Sequence, residues 1–93
     1  MGSGALIVQA EALLACGSPA EAAELARRAL ARTRAGRDRP AQVEARRVLA
    51  LVLRHSGELH EAQMHLRGAL RLARAMGHRT AEERLMSAAA STV

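Results

Sequence analysis

The sequence predicts an all-α fold, an α-solenoid of antiparallel helical hairpins with about five helices. Three observations support this prediction. The chain has no Phe, Tyr or Trp, so alanine and leucine must form the core, and these residues suit closely packed helices better than strands. Apolar residues recur at helical spacing between short segments rich in glycine and capping residues. Finally, the sequence repeats itself after 40 residues, a period typical of stacked two-helix units.

The first predicted hairpin covers about residues 5–35. Apolar residues across positions 5–15 predict a first helix, which Gly17 ends. Positions 18–21 read Ser-Pro-Ala-Glu, the pattern of a capping box with proline at the first helical position, which predicts the start of a second helix. We expect Gly36 to end that helix.

The second predicted hairpin covers about residues 40–76. Asp38 or Arg39 is the expected cap of the third helix, which runs to about His55. Gly57 then forms the turn before the fourth helix. The two helices are therefore expected to lie antiparallel.

An internal repeat relates the two hairpins. At an offset of 40 residues, Gly17, Ala22, Ala29 and Leu30 fall on Gly57, Ala62, Ala69 and Leu70. Positions 80–91 form a partial third unit or capping helix, and Thr80 with Glu83 gives a second capping-box pattern at its start. In such an array each hairpin buries its apolar face by stacking on the next, so we expect one domain with apolar surface left at one or both ends.

The small and large positions of both units resemble the tetratricopeptide repeat family. The small residues of the first and second helices fall on Ala10, Ala50, Ala90, Ala22, Ala29, Ala62 and Ala69. Arg46 stands where Trp is common, and the period of 40 residues exceeds the common 34, so the resemblance is to long-period bacterial members. It implies a non-catalytic module that binds a peptide, helix or protein partner on a concave face. The alternative is a structural unit that self-associates or attaches to further repeats in a longer regulatory protein.

One side of each first helix should stay free once the repeat faces are buried. The residues expected to pack inward are Ala45, Leu49, Ala50, Val52 and Leu53. The family resemblance makes the opposite side the concave groove, with Ile7, Glu11, Leu14, Glu44, Arg47, Leu51, Arg54 and Arg84 as the partner-binding residues and Val48 beside them. Apolar residues flanked by arginines suit an amphipathic, acidic segment, because arginine holds carboxylates bidentately. The competing interpretation is that the arginines are only solvated and the leucines form a contact between copies.

The net charge of +5 comes from 14 arginines without any lysine. These arginines alternate with glutamates, which favours a solvated helix surface with pairs such as Glu24 with Arg28 and Glu44 with Arg47. The missing aromatics also argue against stacking on single-stranded nucleic acid. A basic nucleic-acid-binding domain is therefore the less favoured alternative.

The sequence contains no pattern typical of an enzyme, a cofactor site or a metal site. His60 and His65 are five residues apart and diverge by about 140° around a helix, so they cannot share a metal ion there. Cys16 is the only cysteine, which excludes an internal disulfide, favours a reducing compartment and suggests a small buried filler. Without a usual signal peptide or a long apolar run, a cytoplasmic protein with no membrane partner is expected.

Overall fold

Residues 3–90 fold into five α-helices joined by short turns. The computed structural model describes the backbone of residues 3–90 and the side chains of residues 4–88. The helices are α1 (Ser3–Ala15), α2 (Pro19–Gly36), α3 (Arg39–His55), α4 (Leu59–Met76) and α5 (Arg79–Ala90). Residues 3–90 contain no β-strand, so the predicted all-α class is confirmed.

The helix boundaries follow the 40-residue repeat of the sequence. Helices α2 and α4 both have 18 residues, and they begin at positions 19 and 59. Helices α3 and α5 begin at positions 39 and 79. The helix boundaries therefore recur with the period, and the five helices begin within two residues of their predicted starts.

Helix α3 is the centre of the packing. Each helix packs against the next one along the chain, and α3 also contacts α1 and α5. Within residues 3–90, α2 and α4 make no close backbone approach to each other. Helices α1, α3 and α5 therefore lie side by side in one layer, while α2 and α4 form the second layer.

The core lies around α3 and is built from aliphatic residues. The five α3 residues predicted to pack inward are all buried, which confirms that prediction. Val48, predicted to lie beside the groove, is instead fully buried in the same core. Facing them, α2 and α4 present mostly small residues, which let the helices approach closely: Ala22, Ala26, Ala29, Ala62, Ala69 and Ala73.

The helix caps match the predicted patterns only in part. Asp38 caps α3, since its Oδ1 accepts a hydrogen bond from the backbone N–H of Ala41 at 3.2 Å. Ser18 precedes α2 as predicted, but its side chain makes no capping hydrogen bond. The prediction for Thr80 is wrong, because α5 begins one residue earlier and His78 provides the cap, with Nδ1 accepting from the N–H of Ala81 at 3.1 Å.

Helices α2 and α4 end in the same backbone conformation with different residues. Gly77 follows α4 with φ 67°, in the left-handed region. The equivalent residue after α2 is Arg37, with φ 57°. The expected stop, Gly36, is still the last helical residue. The N–H of Asp38 donates to the carbonyl of Thr33 at 2.9 Å, which closes the helix end as a left-handed C-terminal turn does.

Candidate functional site

Charged side chains link α1, α3 and α5 across the outer side of their layer. Arg47 lies at the centre, with Nη2 2.9 Å from Oε2 of Glu44 and 3.8 Å from Oε1 of Glu11. Nη1 of Arg84 lies 3.9 Å from the second oxygen of Glu44. Four of the predicted partner-binding residues therefore form one chain of ion pairs over three helices. We call this side of the protein the α1/α3/α5 face.

Arg47 is already engaged by carboxylates of its own chain. Its side chain is only 17% exposed, and its buried Nε has no hydrogen-bond partner in the described part of the protein. Arg84 is different, since 63% of its side chain is exposed and its pair with Glu44 is long. Exposed ion pairs contribute about 0–1 kcal/mol, so a carboxylate from a partner could replace Glu44 at Arg84 more easily than at Arg47.

The remaining predicted site residues divide between the core and its edge. Ile7 is 7% exposed and belongs to the core, so it contributes little surface to the face. Leu14 and Leu51 are half-buried, and they remain as apolar surface. Arg54 crosses to α5, where Nη1 donates to the carbonyl of Ala88 at 2.8 Å. The structure thus brings the predicted residues to one side but leaves few of their polar groups free.

The outer side of α1 carries a second, apolar surface. Gln9, Ala12, Leu13 and Cys16 line a shallow hollow of about 330 Å³ together with Leu25 of α2. Cys16 is exposed, which corrects the expectation that it fills a buried gap. Nearby Val8 is 66% exposed. We call Val8, Gln9, Ala12, Leu13 and Cys16 the outer face of α1.

Sequence reasoning missed a polar cluster where α3 meets α4. Arg46 Nη1 and His65 Nδ1 lie 3.4 Å apart. Their equivalents in the first repeat unit, at an offset of 40 residues, are Leu6 and Leu25. Two equivalent positions are therefore both apolar in the first unit and both polar in the second. This joint change is the feature of the sequence that could have indicated the cluster.

The charges around this cluster are mostly of one sign. The pKa of Arg46 is lowered, first by burial and then by the nearby positive charges of Arg34 and Arg71. Burial and Arg46 likewise lower the pKa of His65, although Glu61 opposes this effect. His65 is therefore neutral near pH 7, and its Nδ1 can accept a hydrogen bond from Arg46.

A single ion pair connects the two helices of the second layer. Nη2 of Arg27 on α2 lies 3.5 Å from Oε1 of Glu61 on α4. The pair predicted within α2, Glu24 with Arg28, does not form in the described part, whereas the predicted pair of Glu44 with Arg47 does. Glu61 therefore pairs with an arginine of α2 and does not pair with the arginines further along α4.

The described residues contain no group of three or more His, Cys, Asp or Glu side chains placed to hold a metal ion. Within them, none of the helices combines the length and apolar character needed to cross a membrane.

Comparison of the chain with protein families, with curated proteins and with solved structures finds no match. The function must therefore be argued from the surfaces themselves.

Proposed function

We propose that this chain is a non-catalytic protein-interaction module, a helical-repeat array of tetratricopeptide type that holds a peptide, helix or protein partner on its α1/α3/α5 face. The observation that carries the proposal is the packing order. Helices α1, α3 and α5 lie side by side, and no described helix covers their outer side. A bacterial, cytoplasmic setting is part of the proposal and rests on the sequence alone.

The side chains on this face suit a partner segment with both apolar and acidic residues. Leu14 and Leu51 offer half-buried apolar surface. Arg84 offers an exposed guanidinium whose present carboxylate is 3.9 Å away. Because arginine binds carboxylates through two parallel hydrogen bonds, an acidic residue of the partner would be placed at the α5 side of the face.

The test is a selection of binding peptides from a random display library, followed by mapping of the bound peptides through backbone amide chemical shifts. Peptides with apolar and acidic residues that shift Leu14, Leu51 and Arg84 support the proposal. The decisive variant is Arg84→Glu, and its matched control is Arg79→Glu, an exposed arginine of the same helix. Equal binding to both variants, or peptides that map to another surface, would contradict the proposed site.

A second candidate function, a structural unit for self-association or for stacking on further repeats, is favoured by the outer face of α1. Val8 is 66% exposed, yet its repeat equivalent Val48 is fully buried. Leu13 is half-buried, while its equivalent Leu53 is 1% exposed. Helix α3, which carries these positions in the second unit, has α2 and α4 packed against it, whereas within residues 3–90 α1 packs against α2 and α3 only. The outer face of α1 therefore has the character of a surface that another helix covers.

Sedimentation equilibrium tests this alternative. If copies associate through the outer face, Val8→Glu should make the chain monomeric, because burying a valine contributes about 1.5–3 kcal/mol and each 1.4 kcal/mol is about a tenfold change in affinity. Met64→Glu is the matched control, since Met64 is 59% exposed on α4. A chain that stays monomeric at high concentration, or association lost equally in both variants, would contradict this candidate.

A further inference from the structure

Two hollows on the α4 side of the protein are rich in arginine. The first, of about 320 Å³, lies between Gln42 and Arg46 of α3 and Gly68, Arg71, Leu72 and Ala75 of α4. The second, of about 450 Å³, is lined by Arg67, Leu70, Arg71 and Arg74. Arg71 lines both, so the hollows are neighbours along α4. We call the first one the basic hollow.

Most of the arginines that line the two hollows lack a carboxylate partner within the described residues. No carboxylate lines either hollow. Within the described residues, Arg67 and Arg71 form no ion pair, and Arg46 is joined only to the neutral ring of His65. Arg74 does pair with Glu82, at 2.9 Å, but this carboxylate lies outside both linings. Guanidinium groups gathered without a counter-charge repel one another, and an anion placed among them would remove that cost.

A glycine in the middle of α4 gives Arg46 its position. A Cβ atom at Gly68 would lie 2.7 Å from Nη1 of Arg46 and 3.2 Å from its Cζ, so the guanidinium lies directly against the helix backbone. Glycine inside a helix is destabilising relative to alanine. The repeat does not require a glycine at position 68, because the equivalent residue of α2 is Arg28. Gly68 thus has a specific local consequence, which is to seat Arg46 at the hollow.

We propose that the basic hollow binds the phosphate groups of a small anionic ligand, with Arg46 and Arg71 holding phosphate oxygens, Gln42 donating a further hydrogen bond and Arg67 adding positive charge. Guanidinium groups match phosphate oxygens bidentately. The basic hollow, of about 320 Å³, is open to solvent and is larger than one carboxylate needs. The chain has no aromatic residue to stack on a base, so recognition is expected to act through the phosphates. This site is separate from the α1/α3/α5 face and does not depend on its proposed function.

The experiment is calorimetric titration of the whole chain with sodium tripolyphosphate near physiological ionic strength. Arg46→Gln with Arg71→Gln should weaken binding by about tenfold or more. The control, Arg28→Gln with Arg39→Gln, removes the same charge from exposed positions outside both hollows and should bind like the wild type. Absence of binding to the wild type, or equal weakening in the two double variants, would overturn the proposal, since the anion would then respond only to net charge.

Gly68→Ala provides the test that changes no charge. The added methyl group must displace the Arg46 guanidinium, while the helix itself gains stability from alanine. We expect a several-fold loss of tripolyphosphate affinity together with unchanged or higher thermal stability. Wild-type affinity in this variant would overturn the role of Arg46. A random DNA duplex is titrated in parallel, and binding of the duplex without binding of tripolyphosphate would replace the proposed ligand site with a nucleic-acid surface.

Discussion

Arg37 holds a backbone conformation that disfavours any residue with a side chain. It follows α2 with φ 57° and ψ 31°, and its repeat equivalent, Gly77, has φ 67° and ψ 26°. Arg37 is exposed, and its side chain has no hydrogen bond or ion pair in the described part of the protein. Arg37→Gly should therefore stabilise the fold without removing a contact.

The expected gain is the difference between two backbone terms. Left-handed geometry costs about 1–2 kcal/mol for a residue with a Cβ atom. Glycine loses about 0.5–1 kcal/mol more conformational entropy on folding. The difference leaves about 0.5–1 kcal/mol in favour of Arg37→Gly. For a chain of 93 residues, this corresponds to a rise in Tm of about 2–8 °C.

Far-ultraviolet circular dichroism in heat and in urea is the suitable assay, since the chain lacks the aromatic residues that fluorescence needs. Arg37→Ala is the matched control, because it removes the same charge and keeps the strained Cβ. We expect its stability to lie at or below that of the wild type, and Gly77→Arg to destabilise the fold. If Arg37→Gly were no more stable than Arg37→Ala, the assignment of strain to Arg37 would be refuted.

Three further predictions use the same denaturation assay. Asp38→Ala should cost about 1 kcal/mol, whereas Ser18→Ala should cost little, since of these two residues Asp38 alone makes a capping hydrogen bond; equal costs would contradict this. The pKa of His65 is lowered on folding, so the unfolded chain takes up the proton first and stability should fall as pH drops below about 6.5, less steeply in His65→Gln. Leu53→Ala should cost about 2–5 kcal/mol and Leu13→Ala clearly less, because Leu13 is only half-buried.

The helices could be predicted closely because their signals are local. The glycine turns at Gly17 and Gly57 and the apolar periodicity recur with the 40-residue period. Prolines mark the first turns of α2 and α3 only, and each of these signals acts within a few residues. The predictions were wrong at helix ends where the capping residue is of an unusual type. His78 caps α5 in the position where Asp38 caps α3, and a histidine cap is not a pattern that sequence rules weight strongly. Comparison of the equivalent positions, rather than of local motifs, would have found it.

The candidate face was harder to predict, because side-chain contacts depend on how each helix is rotated. Helix α1 has few polar residues, so its pattern does not define which side faces the core, and Ile7, a predicted surface residue, is buried. The ion pairs of Arg47 with Glu11 and of Glu44 with Arg84 join α3 to α1 and to α5. The sequence predicts the pair of Arg47 with Glu44 on the same helix, but not the pair of Arg47 with Glu11, which lies on another helix.

Helix α3 uses arginine differently on its two sides, and this difference separates the two binding proposals. Toward α1 and α5, Arg47 pairs with Glu11 and Glu44, and Glu44 also pairs with Arg84 of α5, all at less than 4 Å. Toward α4, Arg46 meets a neutral histidine and the repelling charges of Arg34 and Arg71. Added salt should therefore weaken the ion pairs on the α1/α3/α5 face and reduce the repulsion between the arginines on the α4 side. A protein partner on the α1/α3/α5 face leaves the basic hollow open, so either site can be lost by substitution while the other still binds.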